Sequence, residues 1–333
     1  MELPAAVGVA TAVLRAILGV AALLLGAGVV GLGIVSVVTS GVNAGVFWWL
    51  YARRHGRPGI ALDVAAGRQL IRTAAPLMLN GFLNTIFFRI DILLLQAMRG
   101  AETVGLYATA YKFIDGLLLV PTFVTLALFP LLSRFADESP ERLGRTYRQA
   151  VKALVLVAVP IAAGFTFLAE DVLRFFFGDT YAPAAPALRL LVWFLPLSYL
   201  NGVTQYLLIA VNRQRLITLA FGLGAAFNIL ANIAVIPQFG MEGSAVVTVF
   251  SEVVLLAPFM AGVRGALGSL PLSFGLMRGL VAAAAMAAAL WAIQGAPGPV
   301  MVLAGVLVYA AALAALRVLD AEDLRVLRRL IGR

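Results

Sequence analysis

The sequence predicts an all-α integral membrane protein of about ten transmembrane helices. Three observations carry this. Of 333 residues 62% are apolar and only 12% charged, with a mean hydropathy of +0.99, whereas a soluble domain is about a quarter charged. A globule of this size leaves too much surface facing water to hide such a composition, so the solvent is lipid. The apolar residues fall into runs of membrane-spanning length, about 20 residues each. The basic residues alternate between the two sets of loops.

The runs lie at residues 5–25, 29–51, 70–98, 104–133, 149–169, 185–211, 216–236, 242–263, 274–294 and 299–317. Of the 25 Lys and Arg, nineteen occupy one set of loops and the C-terminal tail. Only Arg99, Arg174 and Arg189 occupy the alternate loops, and Arg15, Arg89 and Lys112 fall within spans. The positive-inside rule therefore predicts a multi-pass protein of the cytoplasmic membrane with both termini cytoplasmic. Trp48, Trp49 and Tyr51 just before Arg53 and Arg54 fit an interfacial belt followed by its anchor. The first run has one acid and no base ahead of it, which is unlike a cleavable signal. Five regions are expected: 1–51, two helices; 52–69, a cytoplasmic linker; 70–264, six helices; 265–317, two more; and 318–333, a basic cytoplasmic tail.

Several function classes are excluded. There is no cysteine, and the one histidine, His55, sits in a polar loop, so neither a thiolate or imidazole metal site nor His-dependent catalysis is expected. No metal, cofactor or enzymatic activity is predicted. The net charge of +9 belongs to cytoplasmic loops rather than to a nucleic-acid surface. A membrane glycosyltransferase or polymerase would need catalytic carboxylates or a sizeable external loop, and the longest external connection, about 170–184, is short.

Charges inside a membrane cost ~2.5–3.5 kcal/mol each and pair or line polar cavities. Arg89 and Asp91 on the third span, and Lys112 and Asp115 on the fourth, lie at similar depth. Arg89 and Lys112 are about 12–13 Å from the outer ends of their helices at ~1.5 Å per residue. Two readings are open: neutralising ion pairs between helices, or cations facing a cavity to bind an anionic group, with the acids as partners or coupling charges. Arg15 lies nearer an end and is expected to snorkel. Amides recur at i, i+4 as Asn80/Asn84, Asn201/Gln205 and Asn228/Asn232, each pair on one helical stripe. Such stripes join helices through hydrogen bonds, and Glu252 adds an intramembrane acid of open role. Prolines 76, 121, 160 and 196 each free a carbonyl that a neighbour or cavity water must satisfy.

The stretch FNILANIAVIPQFGMEGSAVVTVFSEVV, residues 227–254, resembles a helix–turn–helix of the oligosaccharide flippases of the multidrug/oligosaccharidyl-lipid/polysaccharide exporter superfamily. The resemblance rests on Asn228 and Asn232, Ile236-Pro237, Gly240, Gly243-Ser244-Ala245 and Ser251-Glu252. It extends to RIDILLLQAMRGAETVGLYATAYKFIDGLLLVPTFVTLALFPLLSRF and FFFGDTYAPAAPALRLL, so that it covers about residues 70–265. It implies two six-helix lobes around a cavity that move polyprenyl-pyrophosphate-linked oligosaccharides outward for O-antigen, capsule or exopolysaccharide assembly. Arg89 and Lys112 would hold the pyrophosphate, with Asp91, Asp115 and Glu252 as charge partners or coupling groups. Its partners would be lipid-linked oligosaccharide, membrane lipid and a polymerase or other polysaccharide-assembly protein. Members usually have twelve to fourteen spans, so residues 5–51 would be the last two helices of a first lobe whose first four are missing. A longer chain or a partner chain would then supply them. A drug/cation antiporter of the same superfamily and a non-transporting assembly subunit are the alternative functions.

Overall fold

The computed structural model describes residues 2–56, 64–268 and 274–318; the expected basic tail falls almost wholly outside them, as does much of the 52–69 linker. Its helices are α1 (Glu2–Leu24), α2 (Gly28–His55), α3 (Val64–Leu117), α4 (Leu119–Glu138), α5 (Pro140–Phe177), α6 (Ala185–Leu191), α7 (Phe194–Ala210), α8 (Gln214–Leu267), α9 (Phe274–Ala292) and α10 (Gly298–Ala315), with a 3₁₀ segment at Asp179–Ala184 before α6. The chain divides into two compact units, residues 1–73 and 74–333.

Seven continuous helical stretches can cross a membrane by length and composition, or eight if the bent pair Asp179–Leu191 and Phe194–Ala210 (50°) is one span. Two of these stretches fold back on themselves. Asn228 and Ser251, 23 residues apart in α8, are hydrogen-bonded at 3.1 Å, whereas a straight helix would separate them by ~34 Å. Likewise Arg89 meets Asp115, 26 residues on, at 3.4 Å. The turns are at Gly100 (φ 85°, ψ 179°) and Gly240 (φ 54°, ψ −135°), backbone conformations that only glycine adopts without strain. Each stretch is thus a helical hairpin, and with the bent pair counted as one span the described residues carry ten membrane-length arms, the number the hydropathy predicts. The arms of α8 approach closely, because a Cβ at Gly243 would lie 2.7 Å from that of Phe239.

In the first unit, α1 and α2 form an antiparallel pair whose side chains are mostly exposed. Arg15 reaches across to α2. Its Nε donates to Thr39 Oγ1 at 3.1 Å and its Nη2 to Ser40 Oγ at 3.2 Å.

In the second unit, α5 and α7 run through the centre, and their buried faces form one core with the hairpin of α3. Ser139 caps α5, its Oγ accepting the Arg142 N–H at 3.4 Å, and Pro140 follows at the first helical position. A second cluster joins the first arms of α3 and α8, where Phe87 packs edge-on to Phe221 with ring centres 5.6 Å apart. Gly224 admits that ring: a Cβ there would meet Phe87 at 2.6 Å. The helices of residues 265–317 pack against α5 as part of the same unit.

The proline positions explain three hydrogen bonds. Pro121 has no N–H for the Leu117 carbonyl, and the Tyr199 hydroxyl donates to it at 2.6 Å. Pro160 leaves the Leu156 carbonyl free, and the Tyr309 hydroxyl donates to that at 2.7 Å, tying α10 to α5. Pro196 frees the Val192 carbonyl, which takes the Leu195 N–H at 3.1 Å. Each replaces a helical bond that proline deletes. Arginines do the same at helix ends. Arg99 donates to the Ile236 and Pro237 carbonyls (3.1 and 2.6 Å) left unpaired by the turn at Gly240. Arg213 donates to the Gly262 and Gly265 carbonyls (3.0 and 2.7 Å) at the far end of α8.

Two outcomes are expected in thermal unfolding of detergent-purified protein. Tyr199→Phe destabilises by about 1 kcal/mol, the worth of one hydrogen bond. That loss shrinks in a Pro121→Ala background, where the restored N–H reclaims the Leu117 carbonyl; equal losses in both backgrounds would contradict the assignment. Arg99→Ala costs about 1–3 kcal/mol, as a charge-assisted bond does, and Arg99→Lys recovers part of it.

Candidate functional site

The hairpin of α3 carries four intramembrane charges, Arg89, Asp91, Lys112 and Asp115, and folding sorts them by face. Tyr107, Tyr111 and Ile114 turn inward on the second arm, which puts Lys112 and Asp115 on its exposed side. On the first arm Phe87 and Asp91 turn inward and Arg89 outward. Arg89 Nη2 lies 3.4 Å from both carboxylate oxygens of Asp115, and the two side chains are 51% and 46% exposed. One turn away, Lys112 makes no ion pair among the described residues; its Nζ lies 5.3 Å from the centre of the Phe177 ring. This face therefore presents two cations, one acid and an aromatic edge.

Asp91 corrects the expectation that it partners a cation. It is 1% exposed and sits in a cage of hydroxyls. Its Oδ2 accepts from Tyr107 and Tyr111 (both 2.9 Å) and from Thr248 (3.3 Å), and its Oδ1 from the Ile92 N–H (2.9 Å). Three helical arms meet at this carboxylate. The sequence signal was there but unread: two tyrosines at i, i+4 in an apolar arm, aligned with an acid on the preceding one.

Glu252 also lacks a cationic partner among the described residues. It is fully buried, and Asn201 Nδ2 donates to its Oε2 at 2.6 Å and to its backbone carbonyl at 2.9 Å. Its Oε1 and the Asn201 Oδ1 have no hydrogen-bond partner. Asn228 donates to Ser251 Oγ, and Asn232 to Asn228 Oδ1 at 2.8 Å. These three asparagines are buried connectors between or within arms. Asn80, Asn84 and Gln205 are half-buried and make no hydrogen bond among the described residues, and the Oδ1 of Asn80 is buried without a partner. The structure thus brings Arg89, Asp115 and Lys112 together on one exposed face, and Asn201, Glu252, Asn228 and Asn232 together in the core.

An all-helical, multi-pass membrane bundle with glycine-turned hairpins and an exposed charged face defines the class. Residues 3–186 match the family model described as "Polysaccharide biosynthesis protein", and the chain belongs to that family. Its fold is that of a lipid II flippase MurJ in an inward closed conformation: the TM-score is 0.76 at 13% identity, over 99% of this chain and 68% of that one. Among curated proteins, it is 23% identical over 159 residues to the teichuronic acid biosynthesis protein TuaB of Bacillus subtilis (47% of this chain, 33% of that protein). It is 24% identical over 208 residues to the probable flippase AglR of Haloferax volcanii (61% and 44%). The lipid II flippase MurJ of Bacillus subtilis matches at 22% over 201 residues (56% and 37%). The chain thus spans between a third and under half the length of these relatives.

Removing the donors to Asp91 tests the cage. Tyr107→Phe or Tyr111→Phe lowers the apparent melting temperature, at a cost of about 1–3 kcal/mol for a charge-directed bond lost in the core. The double variant departs from additivity because both hydroxyls serve one oxygen. Strict additivity would mean that the hydroxyls do not share that acceptor.

Proposed function

We propose that this chain takes part in moving a polyprenyl-pyrophosphate-linked oligosaccharide across the cytoplasmic membrane, for assembly of a surface polysaccharide such as O-antigen, capsule or exopolysaccharide. The observation that carries the proposal is the half-exposed Arg89–Asp115 pair with Lys112 one turn away, at membrane depth. A cation there is retained at a cost of a few kcal/mol unless it serves something. Arg89 is held at 3.4 Å, longer than a tight charge-assisted bond, so a pyrophosphate can displace Asp115. Its two phosphates match two cations. Family membership and the flippase names of similar proteins support the same substrate class.

In this reading Asp115 neutralises Arg89 when no anion is bound and releases it when one arrives. Lys112, free of any carboxylate, supplies the second positive charge. Asp91 and Glu252, buried away from that face, are candidates for coupling charges, and the asparagines hold the arms in register. Binding at Arg89 is an exchange of one anion for another, which keeps the desolvation cost low at each step. Both termini and the arginine-rich loops face the cytoplasm.

Arg89→Ala is expected to lower surface-polymer export at least about tenfold in cells that depend on this protein, the loss of one charged contact. Arg89→Lys should retain part of the activity, and Lys112→Ala should lower it as well. Export unchanged in Arg89→Ala while thermal stability falls would show that the pair only fastens the two arms. Drug efflux in place of polymer export would point to the antiporter reading.

A further inference from the structure

At the end of the second unit where the α3 and α8 hairpins turn, α5, α6 and the α9–α10 connection line a half-open pocket of ≈ 460 Å³. Phe167 and Met301 give it apolar wall, while Glu170, Asp171, Arg189 and Gln294 give it charge and polarity. Glu170 is already occupied, since Arg174 reaches it at 2.9 Å and Arg189 at 3.6 Å. Two groups remain unfilled. Asp171 lies against Gly298 at the start of α10 and makes neither an ion pair nor a hydrogen bond among the described residues. The Arg189 guanidinium makes only its loose contact with Glu170, and its Nε is buried without an acceptor. The pocket therefore offers one unpaired carboxylate and one loosely held guanidinium with a free N–H.

The level of the pocket narrows the ligand. Trp193, whose Nε1 donates to Thr166 on the pocket wall at 3.2 Å, is exposed, as are Phe175, Phe176 and Trp291 around the same end. Exposed Trp at a helical end marks the membrane–water interface, where lipid headgroups lie. A sugar would bring hydroxyls but leave both charges unmatched. An anionic lipid would satisfy Arg189 and be repelled by Asp171.

We propose that this pocket binds the headgroup of a zwitterionic, amine-bearing phospholipid. The ammonium sits on Asp171 and a phosphate oxygen accepts from Arg189, which Glu170 holds in place from behind. The Gln294 side chain adds a neutral polar contact. The acyl chains leave along the apolar residues of α10, where Val300 and Leu303 are exposed. A lipid so placed would fasten the α9–α10 turn to the ends of α5 and α6. The inference needs only a membrane-embedded protein and does not rest on the translocation reading.

The test is lipid retention by the delipidated full chain in native mass spectrometry. The probes are phosphatidylethanolamine, phosphatidylcholine and phosphatidylglycerol with identical acyl chains. Phosphatidylethanolamine should be retained about tenfold better than either other lipid, the worth of one charge-assisted bond. Asp171→Asn should remove the preference and Arg189→Gln should lower retention of all three lipids, while Arg215→Gln, in a different surface groove, should leave both intact. Equal retention of the three lipids overturns the proposal. So does a preference that survives in folded Asp171→Asn, or a phosphatidylglycerol preference that Arg189→Gln abolishes, which would make this an anion site. If neither pocket variant folds, competition on the wild-type protein decides. Displacement of the lipid by soluble phosphoethanolamine but not glycerol phosphate supports the proposal, and displacement by both or by neither overturns it.

Discussion

Backbone carbonyls have no water to turn to inside a bilayer, and the second unit is organised around that fact. At two prolines and one glycine turn, a side chain from another segment arrives to take the freed carbonyl: Tyr199 at Leu117, Tyr309 at Leu156, Arg99 at Ile236 and Pro237. These bonds are more than local repair. Each links segments distant in sequence, so the same interruption that bends a helix also fixes which helix lies beside it. With lipid as apolar as the side chains, little else discriminates one helix neighbour from another except close packing and such hydrogen bonds. Gly224 against Phe87 and Gly243 in the α8 hairpin supply the packing half.

The intramembrane charges follow the same logic with a different outcome on each face. A carboxylate that turns inward must find donors, and Asp91 finds four, three of them hydroxyls. Such a fully satisfied network joins three arms and holds them in one arrangement. A cation that turns outward, as Arg89 does, meets only Asp115 at a longer distance and stays half exposed. Glu252 stands between these cases, fully buried yet with one carboxylate oxygen unpartnered.

A TM-score of 0.76 to a lipid II flippase at 13% identity has a physical basis in these constraints. Apolar residues facing lipid exchange freely, because any of them is as soluble there as another. Identity therefore falls low while the arrangement of helices persists.

Composition, hydropathy and charge alternation determined that the chain crosses a membrane about ten times, where each arm lies and where it turns. These are properties of contiguous residues, and lipid reads them segment by segment. The IPQFG stretch announced one turn, because only glycine adopts the backbone angles found at Gly240 without strain. The partners of the polar groups were another matter. Arg89, Asp91, Lys112 and Asp115 were all visible as intramembrane charges. Nothing in their spacing said that Asp115 would take Arg89 while Asp91 turned to Tyr107, Tyr111 and Thr248, the last 157 residues away. Nor did spacing assign Tyr309 to the carbonyl beneath Pro160. Which faces meet depends on the rotation and crossing of helices that are remote in sequence, and that was decided only when the bundle packed.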